Sequence, residues 1–168
     1  MTERGLTLMR PVTLVYCLRG ESVLLGMKKR GFGAEKLNGY GGKVHDGETI
    51  LQAAARELKE EASIDAKTTD FEKVAEIDFY FSDVPVEKNW NQTVHVYFLR
   101  KWKGEPKETE EMKPEWCDIN SLPMERMWVD DPYWLPKVFE GKKLKATFTF
   151  GKQGATVVDK KIEEVISF

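Results

Sequence analysis

Between Gly42 and Ile64 the chain reads GKVHDGETILQAAARELKEEASI, a glycine-rich turn that runs straight into a helical pattern. Residues three and four apart share a helix face. Glu57 therefore lies beside Glu60 and Glu61, and Arg56 sits over Glu60. Ile50, Leu51, Ala54, Leu58 and Ala62 fall on the opposite side at helical spacing. The pattern predicts a helix over residues 48–62, with Asp46 as a candidate cap, anchored by its apolar side and presenting carboxylates. Three carboxylates on one face repel each other unless a cation holds them together. Hard oxygen donors in that number suit magnesium, with manganese as the alternative, and not zinc. The plain alternative is a solvated acidic face. The preceding Asn38-Gly39-Tyr40-Gly41-Gly42 argues against it. Glycine leaves room beside the main chain and tolerates φ > 0, so a carbonyl from such a turn can approach and complete a cation shell.

The spacing of these residues resembles the Nudix box, G-x5-E-x7-R-E-U-x-E-E-x-G-U, with U aliphatic. Gly42, Glu48, Arg56, Glu57, Leu58, Glu60, Glu61 and Ile64 match it. Ser63 stands where the pattern has its second glycine. That glycine closes a helix and is not a ligand, so the departure bears on the helix end rather than the chemistry. Further segments, residues 26–34, 37–44, 110–114 and 127–134, are similar to the eukaryotic MutT-homologue branch of the family, whose members act on oxidised purine nucleoside triphosphates.

The resemblance implies an α/β fold, the Nudix α/β/α sandwich with a mixed sheet. It implies metal ligation by Glu57, Glu60, Glu61, the Gly41 carbonyl and Glu111, with Glu110 as a rival to Glu111. Catalytic roles fall to Glu61 as base, then Glu60, with Arg56 orienting Glu60 or Glu61 through a bidentate contact. Glu48 supports the turn and the helix N-terminus. The implied reaction is metal-dependent cleavage between the α- and β-phosphorus, with water attacking the β-phosphorus. A nucleoside monophosphate and pyrophosphate result.

Base selection is a separate chemical problem. Guanine offers N1–H and N2–H, which a carboxylate such as Asp130 or Asp131 can accept, while Asn38 can donate and accept. Two acids buried side by side do not both ionise cheaply, so one would hold a proton. A competing reading makes Asp131 the cap of a helix starting at Pro132. Trp128 is a candidate stacking platform. The resemblance adds Thr13, Lys28, Phe32, Tyr40, Gly41, Gly42, Lys43, Phe79 and Val129 around the substrate. Leu37 and Gln92 depart from it, standing in place of a tryptophan and an apolar residue, and residues 85–91 are an extra stretch.

The rest of the chain is consistent with this. Its 168 residues suit a single domain, residues 1–168. The net charge of −2 and the lack of a basic stripe speak against a nucleic-acid polymer as partner. No apolar run approaches membrane-spanning length, and the first ten residues, MTERGLTLMR, lack a secretory hydrophobic core. Two cysteines, Cys17 and Cys117, are too few for a disulfide framework and read as reduced thiols of a cytoplasmic protein. A monomer is expected. The two histidines, His45 and His95, read as packing or surface residues. Strands are predicted over 12–18, 22–27, 74–81, 93–102, 144–150 and 155–166. Residues 19–21 read as a hairpin turn, 31–42 and 82–91 as loops, and 103–113 as an exposed charged loop. A helix running from Asp131 to a stop at Gly141 completes the set.

These features point to a hydrolase of oxidised purine nucleoside triphosphates, of the 8-oxo-dGTP and 2-hydroxy-dATP type. A Nudix hydrolase of another nucleotide, such as a methylated purine triphosphate, a dinucleoside polyphosphate or a capped end, is the alternative. A non-catalytic nucleotide-binding module is disfavoured, because Glu57, Glu60 and Glu61 are all retained.

Overall fold

A fork between two strands organises the molecule. The structure, a computed structural model, describes residues 9–168. Most of the N-terminal stretch read above as non-secretory lies outside the described residues. Strand β1 (Arg10–Arg19) turns back through Gly20-Glu21 into β2 (Ser22–Lys28), with Arg19 opposite Ser22. The two pair only from Cys17↔Leu24 to that turn. Beyond it they diverge. Residues 37–43 fill the gap: β3 (Leu37–Asn38) pairs with β2, and Tyr40 and Lys43 bridge to Val15 and Val12 of β1. On its other edge β2 carries β6 (Met112–Asp118).

Strand β1 continues the sheet through β5 (Gln92–Leu99), β4 (Phe71–Phe81), β7 (Lys143–Gly151) and β8 (Thr156–Val165). The β1–β5 and β4–β7 pairs are parallel and the others antiparallel, so the sheet is mixed. Successive side chains point to opposite faces of a strand. Val15 and Cys17 of β1 accordingly join Leu24, Tyr97 and Leu99 under the first helix, α1 (Ile50–Ala62). Tyr16 and Leu18 join Val96, Phe98 and Phe148 under the second helix, α2 (Asp131–Phe139). The result is the expected α/β/α sandwich.

Helix α1 starts at Ile50, two residues later than its periodicity suggests. Thr49, not Asp46, is its cap. The Thr49 hydroxyl accepts from Gln52 N–H at 3.1 Å, and Gln52 Oε1 accepts from Thr49 N–H at 2.9 Å. These two bonds form a reciprocal capping box. Ala53, Ala54, Leu58 and Ala62 are buried. The small alanines bring the helix axis close to the sheet, and full burial of Leu58 contributes about 1.5–3 kcal/mol.

The helix ends at Ser63, which adopts the left-handed conformation at φ 61°, ψ 31°. An L side chain is disfavoured there by about 1 kcal/mol relative to glycine. Ser63→Gly is therefore expected to raise stability by about 0.5–1 kcal/mol, or roughly 1–4 °C in Tm, with little effect on rate. Thermal unfolding checks this; a lower Tm would show that the serine side chain contributes more than its backbone strain costs.

The 103–113 segment is more than an exposed loop. Lys107 N–H donates to Ala62 O at 2.9 Å, and the Thr109 hydroxyl donates to Glu61 O at 3.1 Å, so the loop supplies donors for the open carbonyls at the end of α1. It then enters β6, a strand its sequence conceals. The segment MKPEWCD carries charge and Pro114, which a central strand would not accept. As an outer strand paired only with β2, it tolerates both. The strand expected to reach Trp102 stops at Leu99. Both cysteines are free, Cys17 buried and Cys117 half-buried. Among the described residues, no helix is long and apolar enough to cross a membrane.

Candidate active site

The segment in the fork brings its backbone against β1 on one side and α1 on the other. Thr13 N–H donates to Gly42 O at 2.8 Å and Val15 N–H to Tyr40 O at 2.6 Å. The Gly41 carbonyl between them takes no part in this pairing. A Cβ at Gly41 would sit 1.8 Å from Thr13 O, and one at Gly42 would sit 2.4 Å from Glu57 Oε2. Close approach, not positive φ, demands glycine here: neither residue has φ > 0. One neighbour is β1 backbone and the other a carboxylate of α1.

The Glu61 carboxylate accepts from Gly41 N–H at 3.0 Å and is only 9% exposed. Burial, then the nearby Glu57 charge, pushes its pKa up to about 8. Glu57 is raised for the same leading reason, burial, against the opposing pull of Arg56. The charge of Glu111 acts on both, in the same direction. The Glu110 side chain is 90% exposed. Lys29 N–H donates to Glu111 O at 2.9 Å, fixing the backbone of Glu111 to the end of β2.

Arg56 does not make the expected bidentate contact with Glu60 or Glu61. Its Nε and Nη2 grip Glu48 at 2.7 and 3.0 Å, while Nη1 reaches Glu57 and Glu60 singly at 3.1 Å each. Nη2 also donates to Lys43 O at 3.0 Å. Glu48 in turn accepts from His45 N–H at 3.0 Å. The Arg56 hydrogen bonds hold the Glu48 carboxyl down at about 2. The guanidinium therefore ties the turn to the helix and positions Glu57 and Glu60; it makes no contact with Glu61.

Among the described residues, no three His, Cys, Asp or Glu side chains are gathered into a ready metal cluster. Glu60 is turned to Arg56, and Glu111 lies 4.0 Å from Arg30 with its side chain 60% exposed. The donor chemistry nevertheless fits a hard divalent cation. Glu61 is buried and Glu57 half-buried; both carboxyls are raised by burial, and the Glu57 charge raises Glu61 further, the condition a positive charge beside them would relieve. Glu60 and Glu111 are exposed enough to turn toward them.

From Glu61 and Gly41 a cleft of about 320 Å³ runs between the sheet and α2. Thr13, Lys28, Phe32, Asn38, Gly42, Lys43 and Phe79 line it, as do Trp128, Asp130 and Asp131. Trp128 lies against the Gly33 backbone, where a Cβ would meet its ring at 2.5 Å. Phe32 sits between Trp128 and Trp90, 5.3 Å from each ring. Lys28 Nζ donates to Phe32 O at 2.7 Å.

Asp130 and Asp131 are 4% and 2% exposed. The helix-cap reading of Asp131 fails. Asp130 holds the cap position without a side-chain cap bond, and Asp131 is already inside α2. Asp130 Oδ2 instead accepts from Trp134 Nε1 at 2.9 Å, and Asp131 Oδ2 from Trp128 N–H at 3.1 Å. Burial raises both carboxyls above the usual range, and the charge of Asp130 raises Asp131 further.

Two expected cleft residues lie elsewhere. Tyr40 is fully buried in the core beneath α1, its hydroxyl without a partner among the described residues. Its large ring is drawn to that core. Val129 is half-buried and packs into the core beneath α2. Glu57, Glu60 and Glu111 stand at the acidic end and do not line the cleft wall.

Other residues in or beside the cleft gave little sequence signal. Lys36 lies 5.4 Å above the Trp128 ring, and Arg10 adds a further cation to the lining. Trp90, from the 82–91 loop, packs on Phe32 and Phe81. Of the two departures from the family pattern, Gln92 faces the cleft while Leu37 is buried in the core.

Residues 8–138 match the NUDIX domain. The chain is 44% identical over 155 residues to the oxidized purine nucleoside triphosphate hydrolase of Danio rerio, covering 92% of this chain and 94% of that one. It is 42% identical over 159 residues to the protein of the same name from Mus musculus, covering 95% and 97%. The solved structure of a MutT protein from Bacillus halodurans superposes with a TM-score of 0.77 over 92% of this chain and 98% of that chain. Its identity is 23%, so this likeness speaks to the fold. With the box residues assembled on α1 and the fork, and with this similarity along the chain, the protein belongs to the Nudix family.

Proposed function

We propose that the protein hydrolyses oxidised purine nucleoside triphosphates, of the 8-oxo-dGTP and 2-hydroxy-dATP type, to the monophosphate and pyrophosphate. The observation that carries this reading is the buried Asp130–Asp131 pair facing the same cleft as Glu61. A base can lie against Trp128 with its pairing edge toward the two carboxyls, while its phosphates extend toward the acidic end. The relatives from Danio rerio and Mus musculus are named oxidized purine nucleoside triphosphate hydrolases, which supports the substrate class.

Hydrolases of this family use divalent metal ions. Magnesium is the ion we assign, held by Glu57, Glu60, Glu61, Glu111 and the Gly41 carbonyl. When bound, such an ion neutralises phosphate oxygens and lowers the pKa of water. Glu61 would take the proton from the attacking water; the Gly41 N–H donating to its carboxylate supports this role by fixing its orientation. Water attacks the β-phosphorus, and the bond to the oxygen bridging the α- and β-phosphorus breaks. Lys28, Lys36, Lys43 and Arg10 border the cleft with positive charge that suits a polyphosphate. Removal of damaged nucleotides by a cytoplasmic monomer is the corresponding cellular role.

The test is kcat/KM for 8-oxo-dGTP against dGTP with magnesium, with pyrophosphate measured as product. A preference of about tenfold or more for the oxidised nucleotide is expected from hydrogen-bond readout. Equal or poor turnover of both, with another nucleotide hydrolysed well, would overturn the base reading and leave the acidic site intact.

A further inference from the structure

We infer that Tyr16 is a positioning residue for base recognition, locking the Asn38 side chain so that its amide nitrogen, a donor, faces the cleft. Asn38 Oδ1 accepts from Gly39 N–H at 2.9 Å and from the Tyr16 hydroxyl at 3.3 Å. Oxygen and nitrogen of an amide are told apart by their partners. A backbone N–H only donates, so the atom beside Gly39 N must be the oxygen. The nitrogen is then the atom left for the cleft that Asn38 lines, and among the described residues it donates to no protein group.

Tyr16 is built to hold this arrangement. Its ring is fully buried, edge-on to Trp134 at 6.4 Å and to Phe139 at 6.2 Å. Burial and the neighbouring Asp131 and Asp130 keep the phenol protonated, so it remains a donor. Trp134 meanwhile donates to Asp130. One packed unit thus fixes both polar elements of the pocket: donor at Asn38, carboxyls at Asp130 and Asp131. The base recognised presents an acceptor, a ring carbonyl or ring nitrogen, to Asn38. This rests on the reading of the cleft as a purine pocket.

The test compares Tyr16→Phe and Asn38→Asp with the parent protein. Tyr16→Phe removes only the hydroxyl. KM for 8-oxo-dGTP is expected to rise about 3–10-fold, with the loss falling on KM rather than kcat, as for one lost hydrogen bond. In ¹⁵N-asparagine-labelled protein the Asn38 side-chain amide resonances should shift or broaden as the amide begins to flip. Asn38→Asp keeps the oxygen that Gly39 and Tyr16 hold and turns the outward donor into an acceptor. KM should then rise about 10–100-fold from the unsatisfied pairing. Unmoved Asn38 resonances and parental KM in Tyr16→Phe would overturn the role of Tyr16. Parental KM in Asn38→Asp would overturn the donor assignment. If the parent protein shows no preference for the oxidised nucleotide, the purine-pocket reading fails and this inference with it, whatever the variants do.

Discussion

Glu61→Gln is expected to lower kcat/KM for 8-oxo-dGTP by about 10²–10⁴, the range set by loss of a positioned proton acceptor. The substitution is nearly isosteric. Glutamine retains the oxygen that accepts from Gly41 N–H, so the fork keeps its contact with α1. What it loses is the charge and the ability to take a proton. Steady-state kinetics at fixed magnesium checks the rate, and a near-parental value would remove Glu61 from the mechanism. Stability without divalent cations should move the other way. Burial holds Glu61 protonated in the folded state up to about 8, against an ordinary value of 4.5. Between those values the folded protein binds more protons than the unfolded chain, so its stability falls as pH rises. Glutamine has no such penalty. Cation-free Glu61→Gln should therefore be the more stable form above pH ~8, by an amount on the order of a few kcal/mol, and should match the parent below pH ~4.5. Urea unfolding across that range in EDTA measures the gap, and a gap that closes as pH rises would contradict the assigned cause.

Helical spacing alone placed Glu57, Glu60 and Glu61 on one side of α1 and Arg56 within reach of Glu60, as observed at 3.1 Å. It could not find the stronger partner of Arg56. Glu48 lies before the helix, in a turn whose shape depends on contacts with β1 that no local pattern encodes. For the same reason the glycines of the fork were legible as glycines but not for their cause. At Gly41 the obstacle is Thr13 O on β1, far away in sequence. Strand β6 was hidden because its stability comes from a partner strand, and its own charge and proline suit the sheet edge.

In the cleft, Trp128, Asp130 and Asp131 were legible through the match of residues 128–131 to the family pattern; without it Asp131 reads as a helix cap before Pro132. Tyr16 and Trp90 were not. An aromatic in an apolar strand reads as core, and Tyr16 is core except at its hydroxyl. Trp90 sits in a polar loop, and its contact with Phe32 depends on how that loop folds over the sheet. Tyr40 fails in the opposite direction. The family resemblance put it at the substrate, but its backbone pairs with Val15 while its ring turns into the core beneath α1.

Asp130→Asn should reduce the preference for oxidised over unmodified purine triphosphate about 10–100-fold, with little change in the magnesium concentration needed for half-maximal rate. The carboxyl is buried and accepts from Trp134 Nε1 at 2.9 Å. Asparagine can keep that bond through its oxygen, which forces its amide nitrogen onto the side where the carboxyl had a free oxygen. A donor then stands where the parent could accept from a base N–H. The acidic end is untouched, because Asp130 makes no contact with Glu57, Glu61 or Gly41 among the bonds that build it. The parent should also show a pH dependence that differs from the variant's. Burial raises both Asp130 and Asp131, and the pair holds a proton that an ordinary carboxylate would have lost. Base preference in the parent should change as pH rises above the usual carboxylate range and that proton leaves, whereas Asp130→Asn leaves one acid to titrate without a charged neighbour. If preference and magnesium requirement fall together in Asp130→Asn, Asp130 supports the site as a whole and does not read the base. If preference is unchanged, the reading belongs to Asp131 alone.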